Sequence, residues 1–128
     1  MFENLAVFKT ASAMAGHAAQ SQALIAQNVA NADTPNYIGK RMPAFASLYS
    51  PDAATGSQRA TRGGHLHGSA GAQHMTPVEM RGGDNPNDNT ISLEAELLKA
   101  AAAKSHHDRA LAIYKSALDV LRTAGSAR

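Results

Sequence analysis

From Glu3 to about Ala32, small and apolar residues recur at helical spacing. Leu5, Phe8, Ala15, Ala19, Ala26 and Val29 follow a three-four repeat, and Val7, Ala11, Met14, Ala18 and Ile25 form a neighbouring stripe. The pattern predicts a helix about 45 Å long. After Lys9 no charged residue occurs until Asp33. A helix with one face in water normally carries charges on that face, so this one is expected to meet protein on several sides. His17, Gln20, Gln22, Gln27 and Asn28 make the segment too polar for a membrane span.

The helical pattern stops at Asn28-Val29-Ala30-Asn31-Ala32-Asp33-Thr34-Pro35-Asn36-Tyr37. Asn31 and Asp33 are suited to bonding free backbone groups at a helix end or in an Asx turn. Pro35 cannot continue a helix and drives Thr34 toward extended geometry. A second helix is expected to start near Ser92, behind the capable caps Asp88, Asn89, Thr90 and Ser92. Glu94 and Glu96 lie in its first turns, and Gly125 marks its end after about Ala124. Leu93, Leu97, Ala100, Lys104, His107, Leu111, Tyr114, Leu118 and Leu121 alternate steps of four and three, a coiled-coil seam with a polar middle. Leu98, Ile113 and Val120 fall outside the seam. The pairs Glu96/Lys99 and Asp119/Arg122 are expected on the wet face.

Between Tyr37 and Asn89 lie four of the five prolines and eight of the ten glycines. Regular structure there must be short. Met42 to Tyr49 is expected to form one or two helical turns pinned by Phe45, Leu48 and Tyr49. Met75 to Met80 is expected to be a short extended piece, and Ser50 to Ala72 has the composition of a loop. The fold class is therefore all-α. Two long terminal helices, in segments 1–33 and 91–128, pair as one antiparallel coiled-coil domain. The middle segment 34–90 is long, irregular and rich in Gly and Pro, with at most short helical or β pieces.

Composition adds limits. Aromatic residues are 5% of the chain and Trp is absent, which suits long helices packed side by side better than a thick core. The formal charge of +2 comes without a Lys/Arg cluster, so no nucleic-acid partner is expected. Cys is absent, which removes disulfides and thiolate chemistry. His65, His67 and His74 lack carboxylate or thiolate companions, and the adjacent His106 and His107 face different ways on a helix. No Ser/His/Asp set, carboxylate pair or phosphate loop stands out, so no enzyme, cofactor or metal site is expected. Met1 to Asp33 lacks a basic start, a compact apolar core and a cleavage site, so no cleavable signal peptide is expected.

The turn residues Asn28, Ala30, Asn31, Asp33, Thr34, Pro35 and Tyr37 resemble the Asn-Leu/Val-Ala-Asn-x-x-Thr-Pro-Gly-Tyr/Phe signature of flagellar rod and hook proteins. Asn36 stands where that family usually has Gly; Asn also tolerates left-handed backbone geometry. The run Ser92-Leu93-Glu94-Ala95-Glu96-Leu97-Leu98-Lys99 resembles the opening of the last helix in the family's short proximal rod members. His106-His107 and Ala124-Gly125 depart from the pattern, where relatives often carry a Tyr and an Ala-Ile ending.

The resemblance implies a structural subunit of the bacterial flagellar basal-body rod in the periplasmic space, exported by the flagellar type III apparatus. The partners it implies are copies of the chain, other rod proteins and the junction with the membrane ring. Helix packing and subunit contact are expected at Leu5, Phe8, Met14, Ile25, Val29, Leu93, Leu97, Leu111, Tyr114, Leu118 and Leu121. The alternatives are another short axial rod protein or a soluble helical-hairpin adaptor of a secretion system.

Overall fold

The computed structural model describes residues 2–49, 75–82 and 87–126, with side chains from residue 6 onward. The loop expected over Ser50 to Ala72, the histidines His65, His67 and His74, and the Leu5 side chain lie outside the described residues. Helix α1 spans Phe2–Ala30, strand β1 Lys40–Arg41, helix α2 Phe45–Leu48, strand β2 Val78–Glu79 and helix α3 Leu93–Ser126. The 29 residues of α1 and 34 of α3 make rods of about 44 and 51 Å. They pack along each other in opposite chain directions. The Phe8 ring meets Tyr114 edge-on at 5.0 Å, while Asn28, near the other end of α1, bonds to Glu96 at the start of α3.

The packed seam is made of small residues. On α1 it follows Ala11, Ala18 and Ile25, seven apart, together with Met14, Ser21 and Asn28. On α3 it follows Glu96, Ala103, Ala110 and Ala117, again seven apart, with Ala100 and His107 half-buried beside them. Of these, Ala11, Ala18, Ala103 and Ala110 are fully buried. Alanine has no bulk beyond Cβ, so two alanine faces let helix backbones approach closely. The neighbouring stripe of α1 is thus the one that pairs.

The α3 seam expected through Leu93, Leu97, Leu111 and Leu121 needs correction, because all four leucines are exposed. The packed stripe lies one position over, at Glu96, Ala103 and Ala110. Large side chains here would hold the backbones apart, and the alanines make the closer contact. Glu96, expected on the wet face, is 1% exposed. Its partner Lys99 stays half-buried at the edge, and Arg122/Asp119 is a surface pair at 3.6 Å. Lys104 reaches water and pairs there with Asp108 at 2.8 Å.

Helix starts and stops follow the local chemistry with one exception. Ser92 caps α3, its Oγ accepting from the Ala95 amide at 3.4 Å. Beyond Ala30 the chain tightens into i to i+3 bonds, Asn31 N–H to Asn28 O and Ala32 N–H to Val29 O. Gly125 does not stop α3, which continues through Ser126. The Ser126 hydroxyl donates to Thr123 O, closing the last turn beyond that glycine. Met75 to Met80 contributes β2, which pairs antiparallel with β1 in the register Lys40 to Glu79 and Arg41 to Val78.

Candidate functional site

The residues of the turn motif converge on a buried polar junction that ties together the end of α1, strand β1 and the start of α3. Asn28 is its centre, 1% exposed. Its Nδ2 donates to Lys40 O at 2.8 Å and to Glu96 Oε2 at 3.0 Å, while its Oδ1 accepts from the Lys40 amide at 3.1 Å. The side chain therefore pairs with β1 as a strand neighbour would. Glu96 Oε1 accepts from Lys99 Nζ at 2.6 Å, so both carboxylate oxygens are partnered. A buried carboxylate without such partners would carry a large desolvation cost.

Asn89 works from the far side of the sequence. Its Nδ2 lies 2.8 to 3.0 Å from the carbonyls of Asn31, Ala32 and Thr34, and its Oδ1 accepts from the Ile91 amide. The carbonyls of the turn that follows α1 are thereby held by an asparagine more than fifty residues away, while those of the last helical turn are met locally by Asn31 and Ala32. Thr90 extends the seam: its amide donates to Tyr37 O, and its hydroxyl accepts from the Gly39 amide. Asn36 sits at φ 58°, the left-handed region that the sequence motif anticipates, and donates its amide to Asn87 O. Gly39 is buried where a Cβ would run into Ile91 Cδ1. A larger residue fits only if the Ile91 side chain shifts.

Other motif residues lie at the surface of this turn. Ala30, Asp33, Thr34 and Pro35 are exposed, and Asn31 and Tyr37 are half-buried. Asn31 Nδ2 donates to Gln27 O and its Oδ1 accepts from Thr34 Oγ1 at 3.3 Å. A second anchor lies midway along α1. His17 Nε2 is 2.8 Å from Pro43 O, its ring meets Phe45 edge-on, and Phe45 stacks on Tyr49, whose hydroxyl lies 2.6 Å from Thr10 Oγ1. The expected pinning of the Met42 to Tyr49 segment is an aromatic stack on α1.

Of the expected packing residues, Phe8, Met14, Ile25, Val29 and Leu118 are half-buried. Leu93, Leu97, Leu111, Tyr114 and Leu121 are exposed, as are Leu98, Ile113 and Val120. At about 100° per residue, Leu93, Leu97 and Leu111 share one flank of α3 and Ile113 and Val120 the other. Apolar side chains are thus left exposed on both flanks of α3. Beside the junction, α1, β1 and α3 enclose a cleft of about 200 Å³ with Ile25 and Ala103 among its lining residues.

Two exposed carboxyls are held below their ordinary values. For Glu94 the main cause is its own backbone amide, followed by Ser92; for Asp108 it is the hydrogen bond from Lys104. Among the described residues no group of three or more metal-ligating side chains converges, and no helix is long and apolar enough to cross a membrane. What this arrangement can do is fix the geometry of a two-helix rod with apolar side chains exposed along both flanks of α3. No protein-family model matches the chain, and neither does any curated protein.

Proposed function

We propose that the chain is a structural subunit of the proximal rod of the bacterial flagellar basal body, resembling FlgB, that polymerises through its terminal helices into the torque-bearing shaft. Its fold in that role is an antiparallel coiled-coil hairpin with an irregular middle segment. The observation that carries the reading is the exposed apolar surface of α3, which a lone helix pair leaves in water at Leu97, Leu98, Leu111 and Val120. Burying these two flanks against copies or relatives in head-to-tail contacts yields a tube when the rotation does not close. The motif supports it: Asn28 and Asn36 occupy positions where the turn needs a buried amide and a left-handed residue.

The partners are then copies of the chain, neighbouring rod proteins, the junction with the membrane ring and the type III export apparatus. Residence is in the rod within the periplasmic space, and the role calls for neither catalysis nor cofactor. Electron microscopy of basal bodies from a strain lacking the chain tests the proposal. Loss of rod and hook with the membrane ring retained is the expected result, and intact rods and hooks would refute it.

A further inference from the structure

Two features on opposite sides of α3 carry opposite charges beside apolar side chains. The first is the 200 Å³ cleft beside the junction, whose floor includes Leu24, Ile25 and Met42 and whose rim carries Lys40 and Arg41. Lys99 and the buried Glu96 also line it and are paired with each other. Lys40 and Arg41 are exposed, and among the described residues neither is in an ion pair. Pockets for small molecules usually start near 300 Å³, so the cleft suits an inserted side chain better than a free ligand. The second feature is the exposed start of α3, where Leu93 and Leu97, 46% and 59% exposed, lie side by side next to Glu94.

At about 100° per residue, Lys99, Ala102 and His106 on the cleft side lie roughly 165° around α3 from Leu93, Glu94 and Leu97. At 1.5 Å per residue the two groups are offset by roughly 10 Å along the axis. A knob and a hole on opposite sides of one molecule make a heterologous contact, and an axial offset keeps a row of such contacts from closing into a flat ring.

We propose that the occupant of the cleft is a second copy of this chain, whose Leu97 enters the apolar floor while Glu94 meets Lys40 and Arg41. Glu94 is exposed in the first turn of α3, where its carboxylate is open to a partner. Opposite charges at the rim steer the approach and fix the register, and the leucine supplies apolar burial. The contact rests on the reading of the chain as a self-assembling subunit and specifies how two copies meet.

The test is sedimentation velocity of the full chain from micromolar to millimolar concentration, with circular dichroism to verify helicity. The wild type is expected to form open-ended oligomers. Glu94→Arg alone, or Lys40→Glu with Arg41→Glu, should weaken association at least tenfold. Mixing these two variants should restore it, because each then offers the charge that the other lacks. Leu97→Ala should weaken association without any change in its salt dependence. A wild type that stays monomeric throughout, or association indifferent to both charge reversals, overturns the proposal. The deletion-strain basal bodies report on the rod assignment separately, so a failure here leaves that result standing.

Discussion

Replacing Asn28 by Ala removes three hydrogen bonds at once, two with the Lys40 backbone and one with the Glu96 carboxylate. A neutral bond contributes about 1 kcal/mol net and a bond to a charged group about 1.5 to 3 kcal/mol, so the loss should be about 4 kcal/mol. Urea unfolding followed by helical circular dichroism measures it. With an m value of about 2 kcal/mol/M, the midpoint should fall by roughly 2 M at unchanged slope. Asn28→Asp keeps the shape and the acceptor for the Lys40 amide but sets a second carboxylate against Glu96. It should cost as much at neutral pH, and adding Glu96→Gln should recover only the part due to the facing carboxylates, because the Gln amide donates to the introduced carboxylate while Lys40 O stays without its donor. A cost for Asn28→Ala below about 1 kcal/mol, or no recovery in the swapped pair, would refute the view that this junction sets the helix register.

Four further changes probe other parts of the same logic. Gly39→Ala forces a methyl into Ile91 and should destabilise by about 1 to 3 kcal/mol in the same urea assay; an unchanged midpoint would show that the junction yields easily. Asn36→Gly should be neutral or slightly stabilising, whereas Asn36→Ile should cost about 1 to 2 kcal/mol, since φ of 58° disfavours a β-branched residue. Ala110→Leu, an apolar gain by composition, should lower the thermal midpoint by overpacking the seam, and a rise would mean that the helices are not in close contact there. Asp108 is held below its ordinary value of 3.8 by Lys104. A depressed carboxylate contributes stability above its unfolded value and loses it as pH falls through the folded one, so this contribution disappears below 3.8. Lys104→Ala should move the Asp108 titration upward by NMR, and an unmoved titration would rule out that cause.

Much of the architecture is legible in the chain because it rests on local chemistry. The length of uncharged periodic sequence before Asp33, the Ser92 cap and the Asn-rich turn each act within a few residues, and their elements fall where the pattern places them. The pairing stripe of α3 is less legible. A heptad reading favours leucine, yet close helix approach favours alanine, and only the partner helix decides between them. Glu96 looks like a surface charge because Asn28, which accounts for its burial, lies 68 residues away. Asn89 reads as an N-cap for the helix that follows; its bonds to the end of α1 depend on the two segments meeting in space. In each case the missing information is long-range. A buried asparagine facing a carboxylate has no periodic signature.

The exposed apolar surface of α3 shows the same division. Its leucines are visible as a stripe, and their exposure follows only once the alanine stripe beside them is known to be occupied by α1. The exposed leucines and the buried asparagine junction then fall to different tasks. Asn28, Asn89 and Gly39 hold two helices and a strand in one geometry, and Leu97, Leu98, Leu111 and Val120 stay exposed on α3.

The measurement that bears most directly on the central claim is mass spectrometry of purified basal bodies joined to cryo-electron microscopy of their rods. The account predicts that the chain co-purifies with the rod in fixed proportion and that density near the membrane ring fits α1 and α3 in opposite directions, alanines facing inward and the α3 leucines against a neighbour. Basal bodies with complete rods that contain none of this chain would contradict it.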